Sequence, residues 1–206
     1  MPKSEKRCQE IREEMRGKIL RESALYFARN GFAKTKISDL AKQLGIGQGT
    51  IYVYFKSKEE LYEEIKQMAN NEKEQAKIKA LALLPISAKK KIEILVDQIL
   101  KSFEKDDIYA AKITLHTQLM LEESQYDAGQ SLYQSDLYLD TAKILKQGQK
   151  EGTVIEGDVM ELVDFFWSVI YVYALKSQFS KHYKMLKAME LKRIWLTDAC
   201  LQGEEP

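Results

Sequence analysis

Apolar residues recur at steps of one, three and four through almost the whole chain, and no stretch alternates as a half-buried strand would. That periodicity restricts the fold to packed helices. Over residues 11–28, Ile11, Met15, Ile19, Leu20, Ala24, Phe27 and Ala28 fall on one helix face, and Gly31 stands where a left-handed stop is needed. Short helices are expected over 37–44 and up to about residue 55, around a Gly45-Ile46-Gly47 turn, with a longer one over 58–80. After Pro85, helices are expected at about 88–103, 108–121 and 132–150, the last stopped by Gly152. Asp158 with Glu161 resembles a capping box for a helix to about residue 179, and a final helix is expected over 183–201. The reading is an all-α chain of nine or so helices, with no internal repeat.

The 206 residues, 45% hydrophobic and 31% charged, are enough to bury a substantial core without covalent staples. Cys8 and Cys200 lie at opposite ends and read as free thiols of a reducing compartment. No run reaches 18 apolar residues, and residues 1–16 are charged throughout. Neither a membrane span nor a signal peptide is therefore expected, and the location is read as cytoplasmic. The net charge of +1 hides an asymmetry: residues 1–80 carry 17 Lys+Arg against 12 Asp+Glu, and the remainder 15 against 19. Between residues 29 and 58, Arg29, Lys34, Lys36, Lys42, Lys56 and Lys58 face the single acid Asp39. Such a region fits a polyanion partner, with a merely solvated basic surface as the alternative.

The densest information lies in residues 37–54. Ile37, Leu40, Leu44, Ile46 and Ile51 supply buried positions, Ala41 is small where two helices cross, and Gly45 suits a left-handed turn. That spacing predicts a helix-turn-helix and leaves Gln48, Gly49, Thr50, Tyr52 and Val53 facing outward. A helix start of this kind can enter a major groove about 12 Å wide and bring Gln48 and Thr50 to base edges. Lys36, Tyr54, Lys56 and Lys58 are placed to meet phosphates.

The run Gly31-Phe32, Thr35, Ile37, Leu40-Ala41, Leu44-Gly45-Ile46, Gly49-Thr50-Ile51-Tyr52, Tyr54-Phe55, Ser57-Lys58-Glu59 and Leu61 resembles the DNA-binding domain of TetR-family transcriptional regulators over roughly residues 15–62. The resemblance implies a homodimer, usually a repressor, that binds a palindromic operator in double-stranded DNA and is released by a small molecule. It also implies Gln48, Gly49, Thr50 and Tyr52 at bases or adjacent backbone, Thr35, Tyr54 and Lys58 at phosphates, and Ser38 facing the same groove. Two residues depart from the family pattern. Lys36 replaces a second hydroxyl residue, which shifts the helix cap toward Thr35, and Gly47 replaces a stronger cap of the recognition helix. The domains are read as a head, residues 1–57, and a body, residues 58–206, joined by the helix at 58–80.

In the body, residues 165–175 are apolar nearly all round a helix, and the last helix is also rich in large apolar residues. Phe165, Val169, Val172, Leu191, Ile194 and Trp195 are therefore expected at an isologous dimer interface, with a thick monomer core as the alternative. Tyr109, His116, Tyr133, Trp167 and Tyr171, with Phe103, Met120, Leu137 and Phe166, are candidates to line an effector cavity. Each also reads as a core residue with its polar tip satisfied. Lys112 reads as a solvated face residue. The effector implied is aromatic, acyl or amphipathic. Two histidines far apart, no Cys/His cluster and no glycine-rich phosphate loop leave no support for an enzyme, a cofactor or a metal. The alternative to a regulator is a helical small-molecule or protein-binding module of the same fold without sequence-specific DNA binding.

Overall fold

The computed structural model describes residues 3–69, 72–124, 135–180 and 183–202. Among them are eleven helices: α1 (Lys3–Asn30), α2 (Ile37–Leu44), α3 (Gln48–Tyr54), α4 (Lys58–Ala69), α5 (Glu72–Leu83), α6 (Ala88–Lys105), α7 (Asp107–Ser124), α8 (Asp136–Lys150), α9 (Val159–Phe179), α10 (Ala188–Lys192) and α11 (Asp198–Gln202). The described residues contain no named strand, only an isolated antiparallel bridge between Val154 and Leu196. Cys8 is exposed and Cys200 buried, and both are free thiols. Among the described residues no helix is long and apolar enough to cross a membrane.

Two apolar cores organise the chain. The first gathers Ile19, Ala24, Phe27 and Ala28 of α1, Leu40 and Ala41 of α2, Ile51 of α3 and Leu61, Ile65 and Ala69 of α4. Ala111 and Leu115 of α7 are buried in the same core. The second is built from α5, α6, α8, α9, α10 and the segments around Val154 and Trp195. At its centre Trp195 stacks on Phe166 with ring centroids 4.0 Å apart.

Several local choices follow from single residues. Asp158 caps α9 by accepting from the N–H groups of Met160 (2.8 Å) and Glu161 (3.0 Å). Ser87 and Ser135 do the same for α6 and α8. Gly148 sits where α8 passes the Val154 turn. A Cβ there would lie 2.2 Å from Val154 Cγ2 and 3.1 Å from Ala88 Cβ, so glycine is what permits the close approach.

Within 58–80 the described residues are helical over 58–69 and 72–80, as expected; α4 packs on α1 and α7, and α5 on α8 and α6. One helix expectation is corrected, that for 183–201. The expected helix over 183–201 is two short pieces, because the backbone between them bonds to the turn after α8. The Ile155 N–H donates to the Trp195 carbonyl (2.9 Å) and the Thr197 N–H to the Thr153 carbonyl (3.1 Å). That turn draws Leu191 and Trp195 inward. Both are fully buried within this chain, and the Trp195 indole N–H donates to the Leu162 carbonyl at 2.9 Å. Neither side chain is available to a second copy, so their assignment to a dimer interface is withdrawn.

Candidate nucleic-acid interface

The α2–α3 corner is set by backbone geometry. Gly45 takes φ 67°, a left-handed conformation that glycine adopts without steric cost. The Ile46 N–H then donates to the Ala41 carbonyl (3.0 Å), closing α2 and redirecting the chain into α3. Ala41 and Leu40 are buried on the α2 side and Ile51 and Phe55 on the α3 side. With Ile51 pointing inward, positions 49, 52 and 53 face away from it, and Gln48 is exposed at the start of α3.

That opposite face is open. Gln48 and Gly49 are exposed, Tyr52 is 46% and Val53 64% exposed, and Thr50 and Tyr54 are half-buried at its flanks. A Cβ at Gly49 would meet nothing within 4 Å, so the helix surface there is bare backbone. Lys34, Lys36, Ser38, Lys42 and Lys56 are exposed around it. The arrangement offers hydrogen-bonding side chains, a recessed backbone and a ring of cations on one surface.

Two expected phosphate ligands are placed differently. Thr35 is 3% exposed, and its hydroxyl donates to the Gly31 carbonyl at 2.7 Å, so this side chain braces the α1–α2 turn and does not reach a backbone phosphate. The α2 cap therefore does not fall to Thr35. Lys36 occupies the N-cap with no side-chain hydrogen bond, and Gly47 leaves α3 equally without one. The Lys58 ammonium donates to the carbonyls of Phe32 and Thr35, each at 3.1 Å, and lies 4.1 Å from the Phe32 ring centroid. Phe32 in turn stacks on Tyr62. Two of the three Lys58 N–H groups thus hold the α1–α2 turn onto α4.

In the body, a cavity of about 80 Å³ lies between α4, α5, α6, α7, α8 and α9. Of the candidate effector contacts, Tyr109, His116, Leu137 and Trp167 line it. Phe103 instead borders an open groove beside Leu100 and Tyr183. Phe166 is buried in the core against Trp195, and Tyr171, half-buried on α9, borders neither space. Tyr133 lies outside the described residues, as does the side chain of Met120. Lys112, expected in solvent, lines the cavity, as do Glu74, Gln75 and Gln98, which sequence reasoning missed. The signal that could have found Lys112 is the helical spacing of 109, 112, 113 and 116, which sets it beside Tyr109 and His116. Burial first, and then the charge of Glu74, pushes the Tyr109 phenol up, keeping it a neutral donor. The Trp167 indole donates to the Thr141 hydroxyl (3.3 Å). Among the described residues no three His, Cys, Asp or Glu side chains gather as a metal ion requires.

One helix touches both regions. α7 buries Ala111 and Leu115 in the first core, while its Tyr109, Lys112, Ile113 and His116 line the cavity. At its start, Arg21 of α1 donates to both oxygens of Asp106 (3.0 and 2.5 Å) and to Asp107 (2.5 Å). The Arg21 hydrogen bond, more than its charge, holds the Asp106 carboxyl at about 2.

Residues 19–65, which include the whole α2–α3 corner, match the signature described as "Bacterial regulatory proteins, tetR family". Over those residues the chain is similar to that family. A fatty acid metabolism regulator protein of Bacillus subtilis (strain 168) is 30% identical over 137 residues, 63% of this chain and 66% of that protein, just under two thirds of its length. The fold also superposes on the ketosteroid transcriptional regulator KstR2 of Mycobacterium tuberculosis, at TM-score 0.61 and 19% identity over 87% of this chain and 89% of that one. The TetR family transcriptional regulator PfmR of Thermus thermophilus superposes at 0.58 and 21% identity, over 85% and 92%.

Proposed function

We propose that this chain is a TetR-family, ligand-responsive homodimeric repressor whose two α3 helices read successive major grooves of a palindromic operator. The observation that carries this reading is the open face of α3 beside exposed lysines, a surface the fold itself does not use. Gln48 is the side chain for a base edge, with Thr50 and Tyr52 beside it, and Gly49 lets the backbone approach. Lys36, Ser38 and Tyr54 serve phosphates, and Lys58 contributes through the turn it holds and its remaining N–H.

A second copy is called for by α9, where Phe165 (59% exposed), Val169, Val172 (40%) and Phe179 (67%) form one outward stripe. Apolar side chains at that spacing fit an isologous helix pair. Ile194, half-buried near this end of the core, keeps its place as a candidate neighbour.

The effector site is the cavity. At about 80 Å³ it is well below the roughly 300–1,000 Å³ of occupied ligand pockets, so a ligand must widen it. Its walls include α7, whose other face lies in the first core, and Ala69 and Ile78 of α4 and α5. Widening therefore moves the heads and shifts the population away from the spacing that fits the operator. The name of the Bacillus subtilis relative favours an acyl compound among apolar and aromatic candidates.

Selection of bound duplexes from a random DNA pool by the full-length protein tests the reading. Enrichment of a palindrome supports it, and no enrichment by a folded dimer overturns it in favour of a binding module without specific DNA recognition. With the operator in hand, Gln48→Ala is expected to cost about 1–3 kcal/mol on that site and little on random DNA.

A further inference from the structure

We propose that Val53 reads a thymine methyl group in the major groove and so sets base preference within each half-site, a role that rests on the DNA-binding reading of α3. Val53 is the most exposed large apolar side chain on that helix, at 64%. Its neighbour on the inner face, Ile51, is 1% exposed and carries the packing, so Val53 adds nothing to the core. The position is unfavourable for stability. A β-branched residue is stiff at χ1 and a poorer helix former than the straight-chain polar residues that suit an exposed site. α3 has only seven residues and starts at Gly47 with no side-chain cap, so it has little propensity to spare.

The surroundings select the occupant. Exposed Lys36, Lys42 and Lys56 make the face cationic and suit it to phosphates, which an apolar protein partner would leave unpaired. Among the groups a base pair presents in the major groove, the apolar one is the C5-methyl of thymine. Valine has no donor or acceptor and discriminates by burying that methyl. Its side chain is short, so the helix axis must lie close to the bases. Gly49, one turn earlier on the same face, supplies the clearance, since no atom lies within 4 Å of where its Cβ would be.

The experiment is a thymine-to-deoxyuridine scan of the selected operator, one symmetric pair at a time, with full-length wild-type protein and the Val53→Ala and Val53→Thr variants. Deoxyuridine removes only the methyl, so a buried methyl is worth roughly fourfold per half-site and roughly fifteenfold for the pair. The expected result is one pair with that loss for wild-type protein, falling below about threefold for Val53→Ala and intermediate for Val53→Thr. Thermal melts should show both variants folded, with Val53→Ala at least as stable as wild type. Identical scans for wild type and Val53→Ala, or no methyl-sensitive pair, overturn the assignment while the regulator reading stands. Failure of the pool to yield an operator overturns both, and is seen before any uracil is introduced.

Discussion

The head and the body are both helical, yet they keep their working surfaces on opposite sides of their cores. In the head the interior is filled, and what is left over is an exterior face of α3. In the body the exterior of α9 exposes Phe165, Val172 and Phe179, and Glu74, Gln75, Gln98 and Lys112 look inward on the cavity. A surface reader needs rigid support beneath it. A ligand chamber needs walls that can give. The contact between the two regions is correspondingly mixed, apolar along α7 and ionic where Arg21 meets Asp106 and Asp107.

The largest effect that separates the regions is expected from Trp195→Ala. It empties the centre of the body core and should cost about 3–5 kcal/mol in denaturant unfolding, while operator affinity of the folded fraction stays within about threefold. Loss of operator binding in the folded fraction would show that the body core directly shapes the head.

A pair of identical substitutions sharpens the contrast. Gly148→Ala drives a Cβ into Val154 and should destabilise by about 1–3 kcal/mol without a specific DNA effect. Gly49→Ala meets nothing and should stabilise α3 by up to about 1 kcal/mol, yet weaken operator binding at least tenfold by blocking backbone approach. If Gly49→Ala binds as wild type does, the close approach is wrong.

The joint is tested by acid. Asp106 titrates at about 2 in the folded protein, below the ordinary carboxylate value, because of its hydrogen bonds from Arg21. A depressed pKa contributes stability above about pH 4 that is lost as pH falls toward 2. Since the carboxylate is more than a third exposed, the amount is about 1 kcal/mol after solvent screening. Asp106→Asn should remove it at neutral pH and flatten the acid limb of the stability curve. An unchanged limb would mean that the pair holds nothing.

The smallest effects distinguish two lysines. Lys36→Met should reduce the salt dependence of DNA binding by about one unit of slope and leave the melting temperature alone. Lys58→Met should lower both, because its ammonium holds the Phe32 and Thr35 carbonyls. Equal melting temperatures would return Lys58 to the role of a simple phosphate ligand.

What the sequence made legible follows the same division. The α2–α3 corner depends on spacings within about eighteen residues, where Ala41, Gly45 and Ile51 each have one workable place, so its elements and outward face could be read directly. Even there, Thr35 and Lys58 escape a local reading, because each bonds a carbonyl of the α1–α2 turn, and for Lys58 that partner is more than twenty residues away. The cavity depends on how six helices pack, and the spacing that sets Lys112 beside Tyr109 and His116 does not by itself say which side of α7 faces it. The final helix failed for the same reason: Leu191 and Trp195 have helical spacing, but the Thr153–Ile155 turn competes for the Trp195 carbonyl and the Thr197 N–H.

The two-faced α7 also bears on how such a protein can diverge. On the proposed function, a substitution on its cavity side is expected to shift the helix that Ala111 and Leu115 anchor in the first core, so a change of effector made there would disturb DNA binding at the same time. Gln98, Leu137 and Trp167 line the same cavity from α6, α8 and α9. Lineages that take up new effectors while keeping their operators are expected to accumulate replacements on those three walls and to leave α7 alone.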